Sequence, residues 1–133
     1  MNWITDKIAI GNHIDAQNKK LLQEHNMKSI LGLDGKKRKK INDIEDSEVF
    51  NFIDGYGNSI QLFTRAVDTL ADFIENNSPV LVYCHAGRSR SPSIVAGYFI
   101  KYQNMDVDKA VNLISKKRQI NIATGLKELL YCI

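Results

Sequence analysis

One stretch, residues 80–93, constrains the fold more than any other part of the chain. Four apolar or aromatic residues follow Ser78-Pro79 and predict a short buried strand over Val80–Tyr83. Ser91 and Pro92 predict a helix start, with Ser91 as the N-cap and Pro92 at the first helical position. Apolar residues then recur at helical spacing: Ile94, Val95, Tyr98, Phe99 and Tyr102. A compact loop, residues 84–90, therefore joins a buried strand to the N-terminus of a helix.

The loop carries residues suited to chemistry on an anion. Free N–H groups and the dipole of a helix N-terminus bind anions, and the same field stabilises a thiolate such as that of Cys84. Arg90 adds a fixed charge and a fork of donors that matches two phosphate oxygens. A nucleophile beside an oxyanion clamp is what displacement at phosphorus requires. The alternative, a structural cysteine at the end of a core strand, leaves Gly87, Arg90 and Ser91 unexplained.

The sequence of residues 84–91, Cys-His-Ala-Gly-Arg-Ser-Arg-Ser, resembles the signature loop of cysteine-dependent protein tyrosine phosphatases. Its pattern C-x-A-G-x-S-R-S is similar to that of the dual-specificity branch. The resemblance implies that Cys84 attacks phosphorus, that Arg90 binds the phosphoryl oxygens and that Ser91 assists breakdown of the phosphocysteine. It also implies that the phosphoryl group is bound by the loop residues His85, Ala86, Gly87, Arg88, Ser89 and Arg90.

The chain departs from the family pattern at Tyr83, because the family usually has a histidine immediately before the nucleophile. In the family that histidine helps to hold the loop and to tune the thiol. Tyr83 is therefore the one feature that supports the alternative of a non-catalytic, phosphate-binding pseudophosphatase.

Asp54 is the predicted general acid. The first half-reaction expels an alkoxide or phenoxide, and a positioned acid that protonates it is worth roughly 10²–10⁴-fold in rate. The family carries this aspartate on a loop after a strand, about thirty residues before the nucleophile; Asp54 lies 30 residues before Cys84. The alternative is a turn-forming aspartate before Gly55. Asn58 is expected to support the loop.

Composition bounds the class of protein. A chain of 133 residues, 44% hydrophobic and 25% charged, predicts one domain over residues 1–133, and the resemblance implies that this domain is catalytic. It has no apolar run near 18 residues and no N-terminal signal pattern, so we expect no membrane span and a cytoplasmic location. Two cysteines, Cys84 and Cys132, do not form a disulfide framework, and Cys132 is interpreted as an incidental thiol. Three histidines without a Cys/His cluster predict no metal site, and the mechanism requires no cofactor.

The remaining elements predict an α/β fold, a mixed central sheet of four to five strands flanked by helices, as in protein tyrosine phosphatases. The strand that ends at Cys84 is expected to be central and parallel to its neighbours. Strands are also predicted in an N-terminal hairpin, at residues 29–33 and at residues 49–53. The predicted helices begin at Asp15, at Ser59, at Ser91, at Asp106 and near Leu126.

Five consecutive cations form a basic block: Lys36, Lys37, Arg38, Lys39 and Lys40. Charge runs of this kind are usually solvated loops, which is the favoured interpretation. The alternative is a basic rim that attracts a polyanionic substrate or partner.

The sequence thus predicts a protein phosphatase that acts on phosphorylated proteins, at phosphotyrosine, phosphoserine or phosphothreonine. Two alternatives stay open: a phosphoinositide or RNA 5′-phosphate phosphatase with the same mechanism, and the pseudophosphatase. No oligomeric state follows from the sequence.

Overall fold

The computed structural model describes residues 1–133, with all five strands before residue 84 and three consecutive helices after it. The strands are β1 (Asn2–Trp3), β2 (Ile8–Gly11), β3 (Ser29–Gly32), β4 (Asp46–Val49) and β5 (Val80–Tyr83). The helices are α1 (Lys19–Glu24), α2 (Ile60–Asn76), α3 (Arg90–Gln103), α4 (Val107–Ser115) and α5 (Thr124–Leu130), and a 3₁₀ turn (Asp15–Gln17) precedes α1.

The five strands form one sheet in the order β1-β2-β5-β3-β4. β1 pairs antiparallel with β2, while the other three pairings are parallel. β5 lies at the centre, with Tyr83 in register with Gly11 of β2 and Gly32 of β3. The predicted mixed sheet with a central, parallel strand before Cys84 is therefore confirmed. The residue after β5 lies at the carboxyl edge of the sheet, where α/β proteins bind ligands.

The two faces of the sheet pack into separate apolar clusters because successive strand side chains point to opposite sides. The larger cluster holds Val80, Val82 and Cys84 together with residues of α2 and α3. The smaller cluster holds Leu81 and Tyr83. Cys84 and Tyr83 are thus neighbours in the chain but belong to opposite faces of the sheet.

Helix α2 packs one apolar stripe, at spacings of three and four residues, against the sheet and α3. Its buried residues are Phe63, Ala66, Val67, Leu70, Phe73 and Ile74. The sequence predicts that this helix begins at Ser59, and the structure makes Ser59 its N-cap, which accepts a hydrogen bond from the Leu62 amide at 3.1 Å. Asp106 likewise caps α4 by accepting from the Lys109 amide at 2.7 Å.

Two predicted helix starts are wrong. Asn18, not Asp15, caps α1, because its side chain accepts from the Leu21 amide, whereas Asp15 accepts from the Asn12 amide. Helix α3 begins at Arg90, one residue before the predicted N-cap Ser91. The Ser91 hydroxyl lies 3.2 Å from Cys84 Sγ instead of capping the helix.

The strand predicted over residues 49–53 is also misplaced, because β4 is Asp46–Val49. Phe50 and Phe52 follow the strand and are buried in the larger cluster, where the Phe52 ring meets that of Phe63 at a centroid distance of 6.2 Å. Their apolar character therefore reflects packing beneath α2. β4 is an edge strand with exposed Ser47 and Glu48, so it carries no apolar pattern.

The longest helix, α2, has 17 residues and six charged or amide side chains among them. None of the helices combines the length and the apolar character needed to cross a bilayer.

Candidate active site

β5 and α3 position the loop that joins them. β5 is buried and ends at Tyr83, Cys84 is buried directly after it, and α3 begins at Arg90. The loop turns back within five residues, and Gly87 adopts φ of +69° there. A side chain at this position would overlap the Gly11 carbonyl oxygen of β2, so only glycine fits.

The Cys84 sulfur lies against the first turn of α3. The Ser91 amide donates to Sγ at 3.5 Å, and the Ser91 hydroxyl lies 3.2 Å from the same atom. Both groups are buried. The N-terminus of α3 and the amide and hydroxyl of Ser91 thus all lie beside one buried sulfur. The structure therefore brings together Cys84 and Ser91, as the sequence predicts.

Arg90 connects the loop with the segment that carries Asp54. Its Nη1 donates to the Phe52 carbonyl oxygen at 3.4 Å, two residues before Asp54. The remaining guanidinium donors are free to bind an anion in front of the loop, because Arg90 takes part in no ion pair. The structure thus places the Arg90 guanidinium beside the segment that leads to Asp54.

Asp54 lies in a loop that its own side chains hold in shape. Asn58 Oδ1 accepts from the Ile53 amide, and Asn58 Nδ2 donates to the Ile53 carbonyl, both at 2.8 Å. Gly57 has φ of +109°, a conformation that L side chains rarely adopt. The Asp54 carboxyl is exposed and forms no ion pair. It is therefore free to meet a leaving group, and Asn58 supports the loop as expected.

The other loop residues are held mainly by backbone contacts. The His13 amide donates to the His85 carbonyl at 3.2 Å, and the two imidazole rings stack at 4.5 Å. The Asn121 amide donates to the Arg88 carbonyl at 2.8 Å, and the Ala123 amide donates to Ser89 Oγ at 2.8 Å. These contacts engage the carbonyls of His85 and Arg88 and the hydroxyl of Ser89.

Tyr83 does not contact the thiol side of the loop. Its ring packs over Gly32 in the smaller cluster, and its hydroxyl accepts from Arg38 Nη1 at 3.0 Å. Burial raises the pKa of Tyr83, as does the nearby Asp34 carboxylate, while Arg38 opposes both. Tyr83 therefore stays neutral and anchors Arg38 beneath the sheet.

The basic block is not uniformly solvated. Arg38 forms an ion pair with Asp34 at 2.9 Å and is partly buried against Tyr83, whereas the four lysines of the block are exposed. Burial raises the pKa of Asp34, but hydrogen bonds from Arg38 and from the Lys36 amide outweigh it and place the pKa below its ordinary value. A cavity of about 530 Å³ lies between this block and β4, on the Tyr83 face of the sheet.

Two features of the site carried no clear signal in the sequence. Arg118, in the connection after α4, reaches back to the loop carbonyls of Ala86 and Gly87. His13 stacks on His85 across a gap of 72 residues, which no local pattern reveals.

No three His, Cys, Asp or Glu side chains lie close enough together to hold a metal ion. Both cysteines are free thiols, Cys84 buried and Cys132 exposed.

Comparison with known proteins places this geometry in context. The family model "Dual specificity phosphatase, catalytic domain" matches residues 8–132. The chain is 33% identical to a putative tyrosine-protein phosphatase of Amsacta moorei entomopoxvirus, over 84% of this chain and 71% of that protein. It is 27% identical to dual specificity protein phosphatase 1 of Arabidopsis thaliana, over 88% of this chain and 60% of that protein. The chain thus spans less than two thirds of the Arabidopsis protein.

The fold is also similar to a solved structure. A mouse putative dual specificity phosphatase, crystallised with zinc tungstate, superposes with a TM-score of 0.89 at 16% identity. The match covers 98% of this chain and 84% of the mouse chain. At 16% sequence identity, this structural similarity shows the fold alone.

Proposed function

The chain belongs to the dual specificity phosphatase catalytic-domain family, and we propose that residues 1–133 form one catalytic domain that dephosphorylates proteins through a phosphocysteine on Cys84. The substrates are phosphotyrosine, phosphoserine or phosphothreonine residues. The observation that carries this proposal is the Cys84 sulfur, buried at the N-terminus of α3 with the Ser91 amide and hydroxyl beside it.

In the first half-reaction the Cys84 thiolate attacks phosphorus. An S–P bond forms as the bond between phosphorus and the substrate oxygen breaks. Asp54 gives its proton to that leaving oxygen, so the product departs as an alcohol or phenol. Arg90 and the loop amides of residues 85–90 bind the phosphoryl oxygens, where donors placed for the transition state are worth most. The exposed, unpaired carboxyl of Asp54 supports its role.

In the second half-reaction water attacks the phosphocysteine. The Asp54 carboxylate accepts a proton from this water, the S–P bond breaks, and inorganic phosphate leaves. The Ser91 hydroxyl, 3.2 Å from Sγ, donates to the sulfur as its charge returns. No step uses a group that this chain lacks, so the proposed mechanism requires no cofactor.

A reactive free thiol functions in a reducing compartment, which favours a cytoplasmic location.

Hydrolysis of an aryl phosphate against pH, with EDTA present, tests this proposal. We expect a bell-shaped profile in the wild type, from a thiolate and a protonated acid. Cys84→Ser is expected to abolish turnover while substrate still binds. A fully active Cys84→Ser protein would contradict the mechanism, and an inactive wild type would favour the pseudophosphatase.

A second candidate substrate is a polyanion, either a phosphoinositide or an RNA 5′-phosphate. The observation that favours it is Arg88, whose side chain is exposed within the phosphate loop. The basic block adds little support, because its one partly buried member, Arg38, is paired with Asp34 and Tyr83 on the face of the sheet opposite to Cys84. Initial rates on a phosphotyrosine peptide, a phosphoinositide and a 5′-phosphorylated RNA would separate the two candidates, and we expect the peptide to be the best substrate.

A further inference from the structure

Arg118 lies in the connection after α4, 28 residues beyond Arg90, and its guanidinium is half-buried behind the phosphate loop. Nε donates to the Gly87 carbonyl at 2.8 Å, and Nη2 donates to the Ala86 carbonyl at 3.2 Å. Nη1 donates to Asn2 Oδ1 at 2.8 Å and to the Ile10 carbonyl at 3.3 Å. All three nitrogens are therefore engaged, two on the loop and one on the β1–β2 edge.

These contacts fix the direction of two amides on the other side of the loop. The carbonyl of Ala86 shares a planar trans peptide with the N–H of Gly87, and the carbonyl of Gly87 shares one with the N–H of Arg88. In such a unit the C=O and N–H point in opposite directions. When Arg118 holds the two carbonyls outward, the amides of Gly87 and Arg88 must point the other way.

The packing leaves little freedom for another arrangement. A Cβ on Gly87 would approach Arg118 Nη2 to 2.6 Å, so the guanidinium lies directly against the loop backbone. The same connection contacts the next two loop residues, through the Asn121 amide on the Arg88 carbonyl and the Ala123 amide on Ser89 Oγ. The connection over residues 118–123 therefore packs against the loop and restrains its backbone.

Arg118 also places a positive charge behind the loop. Burial lowers the pKa of Arg118, while attraction to Asp15 and to Cys84 raises it, and a guanidinium remains protonated at neutral pH. The nearby Arg88 in the loop also lowers the pKa of Arg118.

We infer that Arg118 is a positioning residue for phosphoryl transfer: it orients the amides of Gly87 and Arg88 toward the phosphoryl oxygens from behind the loop. This inference rests on the proposed function. It assigns to Arg118 no contact with substrate. A purely structural residue would change the folded fraction, whereas a positioning residue changes the turnover of the protein that is folded.

The test compares Arg118→Met, Arg118→Lys and Asn2→Ala with the matched control Lys117→Met, an exposed cation on the same connection. Rates on an aryl phosphate are divided by the concentration of sites titrated through Cys84. Because one oxyanion donor is worth roughly 10²–10³-fold in kcat, we expect Arg118→Met to lose about 30- to 100-fold in kcat. Its inhibition by orthovanadate should weaken more than its inhibition by inorganic phosphate, since vanadate mimics the transition state.

The other variants separate geometry from charge. Arg118→Lys keeps the charge without the planar fork, so about a tenfold loss is expected. Asn2→Ala releases only the far side of the guanidinium, and we expect about a threefold loss. Lys117→Met should match the wild type.

The inference is overturned if Arg118→Lys and Asn2→Ala, folded by circular dichroism, keep kcat and vanadate inhibition within about twofold of wild type. These two variants decide the question even where Arg118→Met fails to fold. Cys84→Ser is measured in parallel: if it stays active, the proposed function itself fails. If Cys84→Ser is inactive while the Arg118 variants are unaffected, only the positioning role is lost.

Discussion

The contact between Cys84 and Ser91 determines what the Ser91 hydroxyl can do. Seven positions separate them, yet the loop returns the chain so that the Ser91 hydroxyl lies 3.2 Å from the sulfur. Engaged in this way, the hydroxyl cannot cap α3, and the Ser89 hydroxyl at the N-cap accepts from Ala123 instead. Both serines that could have capped the helix serve the loop. The helix N-terminus is thus left open toward the anion site.

Asp54→Asn tests the general acid. The change removes the proton donor but keeps the shape of an exposed side chain, so folding should be unaffected. We expect hydrolysis of an aryl phosphate to slow by roughly ten- to several-hundred-fold, and most for poor leaving groups. Steady-state rates across a series of leaving groups are the measurement. Asp108→Asn, an exposed carboxylate on α4, is the control, and equal rates for both variants would place the acid elsewhere.

Asp34→Asn tests the ion pair behind Tyr83. The lowered pKa of Asp34 means that its carboxylate stabilises the fold fully above about pH 4 and less as the pH falls through the native value. The variant should lose about 1 kcal/mol of unfolding free energy at neutral pH, a loss that shrinks toward acid pH. Urea denaturation across this pH range is the measurement. A loss that stays constant below pH 4 would show that the carboxylate charge is not responsible.

At the scale of elements, packing of Phe50 and Phe52 holds the first part of the loop between β4 and α2, and Asn58 holds the part that carries Asp54. Asn58→Ala removes three hydrogen bonds, to both backbone groups of Ile53 and to the Gly55 carbonyl. We expect kcat to fall about tenfold because Asp54 is then positioned less well. In an Asp54→Asn background the same change should have little further effect. Additive losses in the double mutant would mean that Asn58 acts independently of the acid.

Elements with a local signal were predictable, and those defined by distant contacts were not. Ser59 and Asp106 each precede an apolar helical pattern, so both caps follow from sequence. β4 is an exposed edge strand stabilised by parallel pairing with β3, and pairing leaves no pattern in its residues. The Cys84–Arg90 loop was recognisable because its chemistry is concentrated in one segment.

Arg118 and Tyr83 illustrate the other limit. In the sequence, Arg118 is one of several cations near a helix end. Its proposed positioning role depends on contacts with a loop about thirty residues earlier in the chain. Tyr83 directly precedes the nucleophile, yet the alternation of strand side chains directs it to the opposite face of the sheet. The position of Tyr83 next to Cys84 in the sequence therefore suggests a contact with the thiol that the structure does not contain.

At the scale of the molecule, the sheet and its two apolar clusters hold the loop in place. Leu70 is buried on α2 between the sheet and α3. Leu70→Ala should reduce the unfolding free energy by about 2–5 kcal/mol, because it leaves a cavity in the larger cluster. Ile14→Ala, at an exposed position, should change it by less than about 0.5 kcal/mol. Equal effects in chemical denaturation would show that the larger cluster does not carry the stability.

Covalent capture of the intermediate tests the central claim most directly. Wild-type protein is mixed with an aryl phosphate, quenched in acid within a turnover and digested, and the peptides are analysed by mass spectrometry. The account predicts a phosphoryl group on the peptide that contains Cys84, absent from Cys84→Ser and accumulating in Ser91→Ala. Turnover without phosphate on Cys84, or phosphate on another residue, would contradict it.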